Sequence, residues 1–322
     1  MAPFSQYKRY TLRIAATAIC IALWIAIGRT LIDAPSDFPI PYNLSIERGQ
    51  TLFSVSQELQ SDHIIRSRRT FEVIMILLGT ERSMSEGEYS FSSPLSVFEV
   101  AFRISGKQFG IERVKVTFPE GFTTDQMADR LAATFPDFNT AVFKALSRVD
   151  EGYLFPDTYK FFPSVTPEIV VRTLKQNFET TIEPLQQDIA ASGTSLHDII
   201  TMASLIEKEA NGDDDREIIS GILWKRIAQG MPLQVDAPFL FLLGKESKEL
   251  TRTDLAIKSP YNTYINKGLP PTPINNPGIS AIKAAIHPKD SPYLYYLHDA
   301  SGQIHYARTY AEHKKNIATY LK

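Results

Sequence analysis

Thr201-Met202-Ala203-Ser204-Leu205-Ile206-Glu207-Lys208-Glu209-Ala210 is the stretch from which the rest of this chain is read. Ile199, Met202, Ala203 and Ile206 recur at helical spacing, which predicts an amphipathic helix with one face committed to a core. Ser195 is placed to cap that helix, and Asp198, three residues on, completes a capping box. Two glutamates close it. A carboxyl carried on a core-facing helix is partly desolvated, which disfavours the charged form and lifts its pKa toward neutrality, as a general acid requires. The plainer reading is a solvated Glu-Lys-Glu at a helix end. At ~100° per residue Glu207 and Glu209 lie about 200° apart, so one helix cannot aim both at one bond. Glu209 shares its side with Met202, Leu205 and Ile206, and Glu207 with Ile200, Ala203 and Ser204. Both flanks are apolar, and the helix by itself does not choose between them.

Around this helix lie 322 residues, enough for a membrane segment and two or three small domains. The hydrophobic share of 43% and charged share of 22% are those of a folded globular protein. A formal net charge of -2 supplies no basic field, so nucleic acid is not an expected partner. Cys20 is the single cysteine and sits in an apolar run, which excludes an intrachain disulfide and a cysteine-based metal cluster. The six histidines lack HExxH-like ligand spacing, so neither a metal nor any other cofactor is expected.

At the N-terminal end, Ile14 to Gly28 is almost purely apolar, with Lys8, Arg9 and Arg13 before it and Arg29 after it. Taken as residues 13–32, it reaches the ~20 residues of a spanning helix, with the flanking arginines snorkelling. A cleaved signal peptide has a similar apolar length, but no small-x-small site follows Gly28, and an uncleaved anchor is the reading adopted. The positive charges on its N-terminal side keep residues 1–12 in the cytoplasm and export the rest. Residues 33–43, rich in Pro and Asp, are the expected tether. The expected location is the cell inner membrane, single-pass, with the bulk of the chain periplasmic or otherwise extracytoplasmic and membrane lipid around one helix.

Residues 44–150 hold two similar strand–helix halves. Leu44 to Gly49 is a short alternating strand, followed by a helix from Thr51 to Gln60; Val114 to Gly121 repeats the plan, followed by a helix from Thr123 to Ala133. In each copy a threonine (Thr51; Thr123 or Thr124) is placed to cap the helix. Between the copies lie an apolar helix from Arg69 to Leu78, a strand near Gly87 to Phe91 and a helix from Ser96 to Ser105. Such units suit modules that dock extended polymers, or spacers that hold a site away from a membrane. Glu151 to Tyr159, dense in aromatics and broken by Gly and Pro, reads as a structured loop between domains. Pro167 to Ala190 is again helical.

Downstream of the two glutamates, Asp213 to Asp215 begin a helix that runs through Arg216 to Gln229, with acidic charge at its N-terminus. Gly230 to Asp236 is extended and alternates Gln234 and Asp236 onto one side. Tyr261-Asn262-Thr263-Tyr264 precedes a rigid Pro- and Gly-rich loop, Gly268 to Gly278, suited to the wall of a groove. Ser280 to Ile286 is a short helix, and Tyr293 to Leu297 with Gln303 to Tyr306 reads as a closing hairpin.

These motifs carry a resemblance. The chain resembles the endolytic murein transglycosylase family, also called MltG or YceG-like proteins, through the anchor, Glu151 to Tyr159, Ile206-Glu207-Lys208-Glu209, Gly230 to Asp236, Tyr261 to Tyr264 and Gly268 to Gly278, in that order. The resemblance implies an α+β fold: one transmembrane helix, a LysM-like α+β region over 44–150, and a lysozyme-like, mainly helical catalytic domain over 151–322. It implies a lytic transglycosylase that cleaves the MurNAc–GlcNAc bond inside nascent peptidoglycan strands, leaves 1,6-anhydroMurNAc ends and terminates strand elongation, with peptidoglycan synthases as possible partners. It makes Glu209 the catalytic acid. Glu207, Gln234, Asp236, Tyr261, Asn262 and Tyr264 are the residues expected to hold the sugars. Ala210 stands where Thr is usual, Asp215-Arg216 replaces Glu-Arg, and Asp236-Ala237-Pro238 replaces Asp-Pro-Thr, which puts a substrate contact from that Thr in doubt. A water-using muramidase with Asp236 or Asp215 as second carboxylate, and an inactive peptidoglycan-binding scaffold, are the alternatives.

Overall fold

The computed structural model describes residues 17–19, 28, 31–80, 84–210, 212–245 and 247–321. The tail expected at 1–12, and most of the anchor expected at 13–32, lie outside the described residues. Among the described residues no single helix is long and apolar enough to cross a membrane. The fold is mixed α+β, with small two-stranded sheets among many helices, and the chain divides into two compact units, Met1–Arg113 and Val114–Lys322.

In the first unit, β1 (Tyr42–Ile46) pairs antiparallel with β2 (Gly87–Phe91), Leu44 opposite Tyr89. Strand alternation turns Leu44, Ile46, Tyr89 and Phe91 inward. Helices Leu52–Ser61 and Arg68–Leu77 connect the two strands, and Val97–Ser105 follows. Thr51 caps the first of these helices and Ser96 the third, each with a complete capping box. Val55, Leu59, Phe71, Met75, Val100 and Ile104 fill the core against the strands.

The second unit begins with β3 (Val114–Thr117), whose partner is β4 (Thr158–Phe161), with Val116 opposite Tyr159. The second strand–helix copy, β3 and the Thr123-capped helix Thr124–Thr134, therefore belongs with the residues beyond 150, not with the first copy. This differs from the division at 150/151 read from the sequence. Local similarity of the copies says nothing about strand partners, and Thr117 meets Thr158 across 41 residues of chain. Part of the aromatic loop, Thr158 and Tyr159, is thus strand.

The periodic stretch from Pro167 is broken at Pro184, which cannot donate a helical hydrogen bond: helix Pro167–Ile182 passes into a 3-10 turn, Glu183–Leu185, and then helix Gln186–Ser192. Helices Leu196–Glu209, Asp213–Ala228 and Ile279–Ile286 pack together around Met202, Leu205, Ile206, Ile219, Leu223 and Ile282. Ile199 through Ile206 are all buried, so this helix is core on every side there rather than amphipathic. The hairpin is β5 (Tyr295–His298) with β6 (Ile304–Ala307), and a helix not anticipated from the sequence, Tyr310–Tyr320, follows it.

Candidate active site

The helix that carries both glutamates starts on Ser195, whose hydroxyl accepts the Asp198 N–H at 3.1 Å. The Asp198 carboxylate returns to that hydroxyl, at 2.8 Å, and not to the main-chain N–H, so the capping box is half formed. With eight buried residues behind it, the last turn emerges from the core and sends its two glutamates into different surroundings.

Glu209 remains partly open to solvent but is closely surrounded by protein. Tyr296 Oη of β5 donates to its Oε2 at 2.9 Å, and the Ala237 main-chain N–H is turned toward the same carboxyl and favours its charged form. Asp236 adds a negative charge nearby, and the His298 ring lies by the Glu209 main-chain carbonyl. Burial disfavours the carboxylate more than the two donors favour it, and the pKa is pushed up to about 7. The position at a helix C-terminus, where the macrodipole is negative, acts in the same sense. Glu209 can therefore hold its proton near neutral pH and release it to a group placed on its open side.

Glu207, two residues earlier, has only 7% of its side chain exposed and is tied on both oxygens. One oxygen accepts from Arg216 at 3.4 Å; the other accepts the N–H of Gly278 at 2.9 Å, where the Ile279–Ile286 helix begins. Burial raises its pKa too, with Glu120 adding like charge and Gly278 and Arg216 pulling the other way. A Cβ on Gly278 would meet the end of the exposed Glu120 side chain, Oε1 at 1.9 Å, so that side chain would have to swing aside. The geometry gives Glu207 a structural place, joining three segments of the second unit, where it had been expected at the sugars.

The remaining expected sugar ligands divide the same way. Asp236 accepts from Tyr264 Oη at 2.6 Å and feels the charge of Glu209, so Asp236 and Tyr264 gather beside Glu209, whereas Gln234 Oε1 accepts from Arg226 at 2.6 Å. Gln234 is held at φ 51°, the left-handed region that non-glycine residues seldom occupy outside constrained sites. Asn262 is fully buried: its amide donates to the Leu255 and Ile257 carbonyls, and its carbonyl accepts from the Tyr264 N–H. It shapes the loop and cannot reach a sugar. Tyr261 hydrogen-bonds Thr272 at 2.8 Å and packs on Phe241, bracing the proline-rich loop.

Three participants were not singled out in the sequence. Tyr296 sits in a hairpin read only as a closing element, the Ala237 N–H is invisible in any side-chain pattern, and Arg226 lies within a helix read only for its acidic start. The alternation Tyr-Tyr-Leu-His at 295–298 was the available signal, because a strand that turns one aromatic outward turns its neighbour inward. Elsewhere in the unit, Asn276 acts as a buried tie: its Oδ1 accepts the Gly152 and Leu154 N–H groups at 2.9 Å each, and its amide donates to Phe122 O and Glu151. Among the described residues, no group of three or more His, Cys, Asp or Glu side chains is arranged to hold a metal ion.

The YceG-like family matches residues 44–319, and the chain belongs to that family. An endolytic murein transglycosylase of Bacillus subtilis (strain 168) is 29% identical over 91% of this chain and 89% of its own length. A protein of the same name in Streptococcus pneumoniae (strain D39) is 29% identical over 64% of this chain, which spans 44% of that relative. Among solved structures, a YceG-like protein of Listeria monocytogenes superposes with a TM-score of 0.59 at 29% identity, over 85% of this chain and 98% of the other.

Proposed function

We propose that this chain is a membrane-anchored endolytic peptidoglycan transglycosylase, with Glu209 as its single acid and base. One observation carries the reading: in a member of a family whose relatives bear that name, Glu209 is a carboxyl with a pKa pushed up to about 7, held by Tyr296 at the edge of the core. The protonated Glu209 donates to the glycosidic oxygen that leaves C1 of N-acetylmuramic acid, and the C1–O bond breaks to give an oxocarbenium-like centre. Glu209, now a carboxylate, takes the proton of the C6 hydroxyl of the same sugar. That oxygen bonds to C1 and closes a 1,6-anhydro ring. The acid has regained its proton and no water is consumed, so one carboxyl suffices. Gln234, Asp236 and Tyr264 orient the sugars at its open side.

In this reading residues 13–32 anchor the chain in the cell membrane, the first unit is a LysM-like module, and the second carries the chemistry outside the cytoplasm, where cleavage of nascent strands ends their elongation. Purified glycan strands digested with the soluble part, beside Glu209→Gln, test it by mass spectrometry. Internal fragments with 1,6-anhydro ends, absent in the variant, are the expected result. Reducing ends would instead make the chain a hydrolase and point to Asp236 as the base that activates water.

A further inference from the structure

Arg226 is 5% exposed, and no carboxylate lies within ion-pair distance of it among the described residues. A guanidinium withdrawn from water without a counter-ion is costly, so its contacts deserve an account. It has two: Nη2 donates to Gln234 Oε1 at 2.6 Å, and the guanidinium lies 5.4 Å from the centroid of the Tyr295 ring. Among the described residues its buried Nε has no hydrogen-bond partner.

Those two contacts lead to the two donors on Glu209. On one side, Gln234 occupies its left-handed turn with its N–H donated to Thr263 O at 3.0 Å. Val235 is then held in both directions by the Thr263 hydroxyl, which accepts its N–H and donates to its carbonyl. Asp236 follows, and then Ala237, whose N–H reaches Glu209. On the other side, Tyr295 is the strand neighbour of Tyr296, whose hydroxyl donates to Glu209. The two donors thus come from separate elements, and Arg226 touches both elements without touching the acid.

We propose that Arg226 is a positioning residue for the acid: it clasps the Gln234 turn to β5 so that the Ala237 N–H and the Tyr296 hydroxyl converge on one carboxyl of Glu209. This rests on the reading of Glu209 as the acid. An arginine suits the task because one planar group donates at its edge while its face covers an aromatic ring; a lysine supplies a point donor only. The clasp also adds to Thr263 in holding the Gln234 backbone in its left-handed conformation.

The groups that share this environment are Tyr295, Tyr296, Tyr264 and His313 around Arg226, and Tyr296, Asp236 and Tyr264 around Glu209, with His298 on its main-chain carbonyl. Both donors favour the charged form of Glu209, so loosening them raises its pKa. The test uses Arg226→Met, Arg226→Lys and Gln234→Ala, with the Glu209 carboxyl followed by 13C NMR titration in protein labelled at glutamate and assigned with Glu209→Gln. Arg226→Met is expected to move the Glu209 midpoint up by roughly one pH unit. It should lower kcat for anhydro-end formation on the order of tenfold while KM changes less than about twofold. Gln234→Ala should shift the midpoint in the same direction, and Arg226→Lys should restore part of it.

An unchanged midpoint in folded Arg226→Met overturns the proposal, and so does a raised KM at constant kcat, which would make Arg226 a substrate contact. Should Arg226→Met fail to fold, the midpoints in Gln234→Ala and Arg226→Lys decide by the same criterion. Absence of anhydro ends with the unaltered protein would end the transglycosylase reading alone, since the titration shift tests the clasp without turnover.

Discussion

Glu207 and Glu209 leave one helix two residues apart, and both have pKa values raised by burial, yet the molecule surrounds them in opposite ways. Around Glu207 each carboxylate oxygen is engaged, by an arginine and by a main-chain N–H at the start of another helix. Around Glu209 stand a tyrosine hydroxyl that donates and a main-chain N–H turned toward it, with Asp236 adding like charge and, among the described residues, no cation in an ion pair with it. A carboxylate joined to a cation and a helix start is a fastener. One held near neutrality beside like charge, with an open side, can lose and regain a proton. A raised pKa alone does not mark an acid; the identity of the partners does.

Substitutions at the two positions should separate in kind. The largest effect is expected from Glu209→Gln, a loss of about 10^3-fold in anhydro-end formation, with the thermal unfolding midpoint kept or raised because a buried ionisable group is gone. Glu207→Ala should do the reverse. It leaves the Gly278 N–H without its acceptor and Arg216 with Asp213 as its remaining ion-pair partner, and denaturant unfolding should show a destabilisation of about 2 kcal/mol. Equal losses of stability at both positions would break the comparison.

Smaller changes sharpen it. Tyr296→Phe removes a donor that favours ionised Glu209, so the pKa rises and the high-pH limb of kcat should move upward by roughly one unit, with kcat down about tenfold. Stability should also depend on pH. The folded pKa of Glu209 lies above its unfolded value of 4.5, so the folded state binds the extra proton between about 4.5 and 7, and stability falls as pH rises through that window. The slope is at most about 1.4 kcal/mol per pH unit. Glu151, also pushed up to about 7 by burial, adds a slope of the same sign. Glu209→Gln should remove its own share and leave that of Glu151, as unfolding measured from pH 4.5 to 7.5 would show. Smallest of all, Tyr306→Phe should leave the kcat limb where it is, because that hydroxyl donates to Asp215 at 2.6 Å and not to the acid.

Residue order alone settles a good deal here. Caps and periodicities place the helices of the first unit, the paired glutamates and the hairpin to within a few residues, because those are properties of neighbours three or four positions apart. Motif order identifies the family. Spacing also shows that Glu207 and Glu209 face apart, since helix geometry is local. How differently the two are partnered, that Asn262 turns inward, that β3 belongs with β4, and that Arg226 reaches both elements beside Glu209 were decided only by the folded chain. Burial, charge and hydrogen bonding are properties of pairs, and the pairs that matter are remote: Tyr296 meets Glu209 across 87 residues and Gly278 meets Glu207 across 71. No pattern of neighbours contains that information.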